Sequence, residues 1–185
     1  GHFGCTFEEV TFTGQDGIQV SGWWMQGEPE RTAFIIAHGL FRDRKEVTEW
    51  GCRLQKRGSS VLVYDLRGHG KSQEAPTTMG YRERFDVLGA ARFVHQRHSS
   101  GLVIMGVSMG AAATLMAVPE MDPAPSAIIA DSSFVSLRDT VREHSALFLG
   151  VPGFPFNHVF VWNLTRLGNF SADEFDLPLI FSRAG

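Results

Sequence analysis

Short apolar runs alternate along the chain with longer segments in which apolar residues recur at helical spacing. The runs are continuous rather than alternating, which is typical of strands that helices cover on both faces. They are residues 33–37, 60–65, 102–105 and 127–131, and the helical segments include Val47, Val87 and Leu137. Because parallel strands need such crossover helices, the pattern predicts a mostly parallel sheet with helices on both faces.

The start of the chain has a different pattern. Residues 10–13 and 18–25 are rich in β-branched and aromatic side chains, and Gly14-Gln15-Asp16-Gly17 separates them. Two such segments joined by a short glycine-containing turn are typical of a β-hairpin. We therefore expect an antiparallel hairpin before the parallel strands.

Composition and charge fit one globular domain spanning residues 1–185. The chain is 43% apolar and 20% charged, and it has fifteen phenylalanines and four tryptophans for an aromatic core. The net charge of −3 and the scattered Lys and Arg residues offer no basic surface, so we expect no nucleic acid partner. Neither a membrane-spanning run nor a signal peptide is recognisable, so we expect a cytoplasmic protein.

The cysteines, Cys5 and Cys52, lie far apart in the sequence and belong to no Cys-x-x-Cys motif or Cys/His group. Zinc is therefore not expected. We favour buried free thiols, while a single bridge between the pair remains open.

The strand at 102–105 leads into Gly106-Val107-Ser108-Met109-Gly110 and then into an alanine-rich helix. Glycines before and after the serine remove the Cβ atoms that would collide where strand and helix nearly touch. The turn therefore exposes the serine hydroxyl at its tip. The free N–H groups at the start of the helix face any oxyanion that forms there. This arrangement predicts that Ser108 is a nucleophile.

Motifs follow the earlier strands in the same way: His38-Gly39 follows one strand, and residues 65–72, Asp-Leu-Arg-Gly-His-Gly-Lys-Ser, follow the next. With the Ser108 turn, they resemble those of α/β-hydrolase-fold serine hydrolases, in the lysophospholipase and serine-aminopeptidase-like branch. The resemblance covers residues 10–176. It implies a three-layer αβα sandwich, Ser108 as nucleophile, and no cofactor or metal. It also implies an oxyanion hole formed by the backbone N–H groups of Met109 and Leu40, with Phe41 as the alternative donor to Leu40.

Several polar residues near these motifs are assigned supporting roles. By the resemblance, His38 supports its loop rather than acting as a base, and His69 is treated in the same way. Asp65 and Arg67 are interpreted as partners that stabilise the loops.

The acid and the histidine of a catalytic triad are not recognisable. In this fold they follow the serine, in the order acid and then histidine. Residues 178–181 are interpreted as the beginning of the acid-bearing strand, so we expect a fold that lacks its last strands. Asp131 is a substitute acid, although capping of the following helix is the favoured alternative. His144 and His158 are less favoured as bases than as surface or packing residues.

The C-terminal part suggests the substrate and a partner. Residues 149–170 are apolar and irregular in pattern, which indicates a lid or pocket wall, with an ordinary packed loop as the alternative. We expect hydrolysis of small hydrophobic acyl esters. The alternative is a catalytically impaired remnant that binds a hydrophobic ligand or a partner chain. Because the strand ending at Asp131 would form an exposed edge, we expect a second copy or a separate C-terminal fragment to cover it.

Overall fold

The structure is a computed structural model that describes residues 4–144 and 153–184. Within these residues, six strands form one sheet in the order β1-β2-β4-β3-β5-β6. Their bounds are β1 Glu8–Thr13, β2 Gln19–Met25, β3 Ala33–Ala37, β4 Val61–Tyr64, β5 Leu102–Val107 and β6 Ala127–Asp131. The predicted hairpin is confirmed, because β1 pairs with β2 in antiparallel register. β2 also runs antiparallel to β4, whereas the pairs β3–β4, β3–β5 and β5–β6 are parallel.

Helices cover both faces of the sheet, as predicted. Their bounds are α1 Lys45–Gln55, α2 Arg84–His95, α3 Met109–Ala117, α4 Leu137–His144, α5 Gly153–Gly168 and α6 Leu177–Ala184. α1 packs on one face, where Val47 and Cys52 join Met25, Ile36 and Val63 in a buried cluster. α2 and α3 pack on the opposite face in a larger aromatic and aliphatic core. The three-layer αβα sandwich is therefore confirmed.

The predicted open edge is present at β6. Among the described residues, β6 pairs with β5 alone, and Ile129 on its face is 46% exposed. Val103, Met105 and Val107 on β5 are only half-buried, whereas their neighbours Leu102 and Ile104 on the α3 side are buried. What covers this edge and face stays a prediction.

The expectation of a strand at 178–181 is wrong, because these residues lie in α6. The backbone carbonyl of Asp176 accepts the N–H of Ile180 at 2.9 Å and so begins the helix. Pro178 is the second residue of α6, where a missing N–H costs no intrahelical hydrogen bond. An aspartate followed closely by a proline is a helix-start signal that the apolar run concealed.

Most of the described part of the segment at 149–170 is helical rather than irregular. Residues 149–152 lie outside the described part, and α5 covers 153–168. Its inner face contributes Val161 and Leu164 to a cluster around α3, α4 and α6, while Val159 and Trp162 on its outer face are 52% and 55% exposed. Asn169, with φ 50°, ends the helix in the left-handed conformation that asparagine tolerates. Whether this helix acts as a lid or as a packed wall stays a prediction.

The preference for free thiols is also wrong, because Cys5 and Cys52 form a disulfide. The segment before β1 lies beside α1, which brings the two Cα atoms to 5.4 Å. The side chain of Gln55 also donates to the carbonyl of Thr6 at 2.9 Å and fixes the same contact. Sequence spacing alone did not reveal this proximity.

The disulfide should stabilise the fold by about 2–4 kcal/mol, since it closes a long loop in the unfolded chain. We expect dithiothreitol to lower the free energy of unfolding in urea by this amount. A Cys5→Ser/Cys52→Ser variant should unfold at the midpoint of the reduced protein and should not respond to dithiothreitol. Two free thiols in the unfolded, unreduced protein would contradict the bridge.

Across the residues that the structure describes, no helix combines the length and apolar character needed to cross a membrane.

Candidate active site

Ser108 occupies a strained turn between β5 and α3. Its backbone has φ 50° and ψ −113°, a conformation that a residue with a side chain adopts at a cost of about 1–2 kcal/mol. A Cβ atom at Gly106 would lie 2.4 Å from the backbone of Gly110, and one at Gly110 would lie 2.6 Å from the carbonyl oxygens of Ala37 and His38. Both flanking glycines are therefore required by close backbone contacts.

The Ser108 side chain is half-buried, and its hydroxyl has no hydrogen-bond partner within the described ranges. Its backbone N–H donates to the carbonyl of Asp131 at 2.8 Å, which ties the turn to the end of β6. The turn thus fixes the position of the hydroxyl, and the hydroxyl makes no structural hydrogen bond among the described residues.

Two backbone N–H groups in and beside the Ser108 turn are the candidate oxyanion donors. The N–H groups of Leu40 and Met109 have no acceptor in the part of the chain that the structure describes. Met109 is the first residue of α3, where backbone N–H groups lack intrahelical acceptors. A Cβ atom at Gly39 would lie 3.6 Å from the Cβ of Ser108, so the loop after β3 packs directly on the turn. Phe41 has φ 59° and a side chain that is 87% exposed, and it remains the alternative donor.

His38 is buried, and both of its ring nitrogens are engaged. Nε2 lies 3.0 Å from the backbone N–H of Leu66, and because that group can only donate, Nε2 must accept. The ring proton therefore sits on Nδ1, which donates to the carbonyl of Gly39 at 2.7 Å. Burial lowers the pKa of His38, so the ring stays neutral at neutral pH. These contacts fit the supporting role expected of His38 and leave it no free nitrogen for proton transfer.

The pKa of His38 predicts how stability depends on pH. The unfolded histidine titrates near 6.5, and burial places the folded value below that. The neutral, buried His38 therefore contributes its full share to the free energy of unfolding above the unfolded pKa, and this share is lost as the pH falls towards the folded pKa. Between about pH 7.5 and pH 5.5, wild type should therefore lose more free energy of unfolding than His38→Asn. Urea unfolding at both pH values measures this, and equal losses would contradict it.

Asp65 ties the loop after β4 to the start of α1. Its carboxylate is buried and accepts the backbone N–H of Arg44 at 2.7 Å, the Arg44 guanidinium at 2.8 Å and the backbone N–H of Lys71 at 2.8 Å. This agrees with the loop-stabilising role expected of Asp65. The sequence analysis missed Arg44. An arginine at the start of the helix that follows His38-Gly39 was the only signal for it.

Arg67 is the second buried cross-link near the site. Its guanidinium forms paired hydrogen bonds with Asp16 in the hairpin turn at 2.7 Å and bonds Asp86 on α2 at 2.7 Å. Burial disfavours its charge, but the hydrogen bonds and charges of the two carboxylates outweigh this effect and raise the pKa of Arg67. Arg67 thus joins the hairpin, β4 and α2, in agreement with its expected role.

The remaining candidates do not complete a triad among the described residues. Asp131 is exposed at the end of β6, where its carboxylate accepts the hydroxyl of Ser132 at 2.8 Å. It does not cap α4, because the hydroxyl of Ser136 accepts the backbone N–H of Asp139 there instead. The side chain of His144 lies outside the described residues, and His158 is exposed on α5.

His69 lines a cavity beside the candidate site. Its Nδ1 lies 2.9 Å from the carbonyl oxygen of Arg67, and its ring centroid lies 5.3 Å from that of His38. The cavity has a volume of about 630 Å³ and lies between the loops that follow β3 and β4. Its lining is mixed and comprises Phe41, Arg42, Asp43, Glu46, Gly68, His69 and Gly70. The loop with the candidate oxyanion donors therefore forms one wall of an open cleft.

The sheet order, the strained serine turn and the two neighbouring loops define the class of protein, an α/β-hydrolase-fold serine hydrolase. Residues 28–172 match the family described as serine aminopeptidase, S33, and the chain belongs to that family.

Relatives and solved structures agree with this class. The chain is 30% identical to the uncharacterised Escherichia coli protein YfhR over 141 residues, covering 70% of this chain and 48% of YfhR. It is 30% identical to a probable serine hydrolase of Drosophila melanogaster over 112 residues, covering 60% of this chain and 33% of that protein. A Pyrococcus furiosus esterase superposes with a TM-score of 0.70 at 27% identity, covering 89% of this chain and 68% of the esterase. The chain thus spans about half or less of the length of these curated relatives.

Proposed function

We propose that this protein hydrolyses carboxylic esters through an acyl-enzyme on Ser108. The observation that carries the proposal is the Ser108 hydroxyl, which is held in a strained turn without a structural partner among the described residues. A serine that served only the fold would not need the strained backbone or the two crowded glycines. The similarity to the Pyrococcus furiosus esterase supports the same reaction class.

The proposed reaction has two stages, acylation of Ser108 and hydrolysis of the acyl-enzyme. The Ser108 oxygen attacks the ester carbonyl as its proton passes to a base, and the carbonyl oxygen becomes an oxyanion. In this proposal the backbone N–H groups of Met109 and Leu40, which have no acceptor among the described residues, stabilise that charge, each to the extent of a few kcal/mol. Collapse expels the alcohol, which takes up the proton, and leaves the acyl group on Ser108. Water then attacks the acyl group and releases the acid.

The base and its acid partner are requirements of this mechanism. No histidine with described side-chain contacts bonds the Ser108 hydroxyl, and a serine at its ordinary pKa is a weak nucleophile without a base. Asp131 remains the proposed substitute acid because its backbone already contacts Ser108.

Small hydrophobic acyl groups are the proposed substrates. The exposed apolar face of α5, with Val159, Phe160, Trp162 and Leu167, offers the aromatic and aliphatic surface that such groups need. A thioester is the nearest competing substrate, since a thiohydrolase of Aspergillus aculeatus is 36% identical over 72 residues, covering 38% of this chain and 23% of that enzyme.

A series of p-nitrophenyl esters from acetate to decanoate, run beside acyl thioesters and aminoacyl p-nitroanilides, tests the proposal. We expect turnover of the esters, with the highest kcat/KM for short to medium acyl chains. A folded full-length protein that hydrolyses anilides alone would overturn the ester assignment. One that binds the acyl chains without turnover would favour the catalytically impaired remnant.

A further inference from the structure

A carboxylate that the proposed chemistry does not use lies beside the oxyanion loop. Glu46, in the first turn of α1, accepts the backbone N–H of Gly39 at 2.8 Å through Oε2. Its other oxygen faces Arg42 at 3.5 Å, and its side chain is only 30% exposed. The positive end of the α1 dipole favours a carboxylate at this position. The contact is therefore a fixed feature of the loop rather than a chance surface pair.

Glu46 and His38 hold the two peptide groups on either side of the Gly39 Cα atom, and the second of these carries the Leu40 N–H. Glu46 holds the N–H of Gly39, while the His38 ring donates to the carbonyl of Gly39. In a trans peptide the C=O and the following N–H point in opposite directions. With the Gly39 carbonyl turned towards His38, the N–H of Leu40 points away from that ring. The His38–Gly39 peptide is thus held by Glu46 and the Gly39–Leu40 peptide by His38, so the two contacts together fix the backbone conformation of Gly39.

We propose that Glu46 is a positioning residue that fixes the Gly39–Leu40 backbone so that the Leu40 N–H stays available beside Ser108. This inference rests on the proposed function, because it assigns a role within the same oxyanion site. In this proposal Glu46, which also lines the cleft, acts through the Gly39 backbone and not through contact with the substrate. Its negative charge disfavours a nearby oxyanion, so the benefit comes from geometry and not from charge.

Four variants separate geometry from charge. Glu46→Gln keeps an oxygen acceptor and removes the charge, whereas Glu46→Asp keeps the charge and shortens the reach. Glu46→Ala removes both. Glu49→Ala is the matched control, because Glu49 lies on the same helix, is 69% exposed and pairs only with Arg53 among the described residues.

Amide hydrogen exchange at Gly39, followed by NMR, tests the restraint without any need for activity. We expect exchange to be about tenfold or more faster in Glu46→Ala and Glu46→Asp, and close to wild type in Glu46→Gln and Glu49→Ala. If the alanine variant does not fold, the aspartate variant decides. Unchanged Gly39 exchange in the aspartate variant overturns the proposal.

Ester kinetics on the full-length protein test the consequence for catalysis. In Glu46→Asp we expect kcat to fall about tenfold with KM unchanged, and Glu46→Gln to restore or exceed the wild-type kcat. A Gln variant as slow as the Asp variant overturns the geometric role. If wild type hydrolyses no ester, the proposed function fails, while the exchange measurement still decides the role of Glu46 in the loop.

Discussion

Replacing Ser108 with alanine should reduce kcat for ester hydrolysis by about 10⁴ to 10⁶ while leaving the fold intact. The substitution removes only the hydroxyl, which has no structural partner among the described residues. The backbone contact between the Ser108 N–H and the Asp131 carbonyl is kept. Wild type and Ser108→Ala should therefore unfold at nearly the same urea concentration, and the substitution should lower kcat without lowering stability.

Ser133→Ala is the matched control for this experiment. Ser133 is half-buried close to the end of β6, and its hydroxyl contacts only the carbonyl of Phe134 at 3.2 Å in the described part of the chain. Its removal should leave kcat within about twofold of wild type. Full ester turnover by Ser108→Ala would show that another group is the nucleophile.

Replacing Gly106 with alanine should have the largest effect on stability. The new Cβ would lie 2.4 Å from the carbonyl carbon and oxygen of Gly110, which are backbone atoms that no side-chain rotation can move. Relief requires β5 and α3 to separate, at a cost of about 3 kcal/mol or more. Separation of β5 and α3 would also distort the turn that holds Ser108, so the rate of ester hydrolysis should fall even for the protein that remains folded.

Gly17→Ala separates crowding from backbone conformation. Gly17 in the hairpin turn has φ +92° and no atom within 4 Å of a built Cβ, so its replacement carries only the cost of a left-handed backbone, about 1–2 kcal/mol. Urea unfolding of both variants measures the difference. Gly106→Ala as stable as Gly17→Ala would contradict the close strand-to-helix contact.

The parts of the fold that sequence predicted are those with strong local signals. The apolar run at 102–105 and Gly106 and Gly110 predicted the strand, the turn and the helix that follow one another there. Local chemistry dictates these features, because a tight turn demands glycine wherever two backbones approach. The order of the strands was not predicted, because β4 lies between β2 and β3 although those two strands are consecutive in the chain.

The parts that sequence did not predict depend on long-range contacts or on competing local signals. The Cys5–Cys52 bridge requires the segment before β1 to lie beside α1, which no spacing reveals. α6 begins with an apolar run, residues 177–181, that fits either a strand or a buried helix. Glu46 and Arg44 were missed because exposed-looking charges at a helix start are common, and only the folded loop shows what they hold.

The most direct test of the central claim is the site of covalent labelling by a fluorophosphonate in the full-length protein. Such a probe reacts only with a serine that the site activates as a nucleophile. Peptide mass spectrometry should find a single adduct on the peptide that contains Ser108, and Ser108→Ala should show none. An unlabelled Ser108 in folded protein, or an adduct on another serine, would contradict the assignment of Ser108 as the nucleophile.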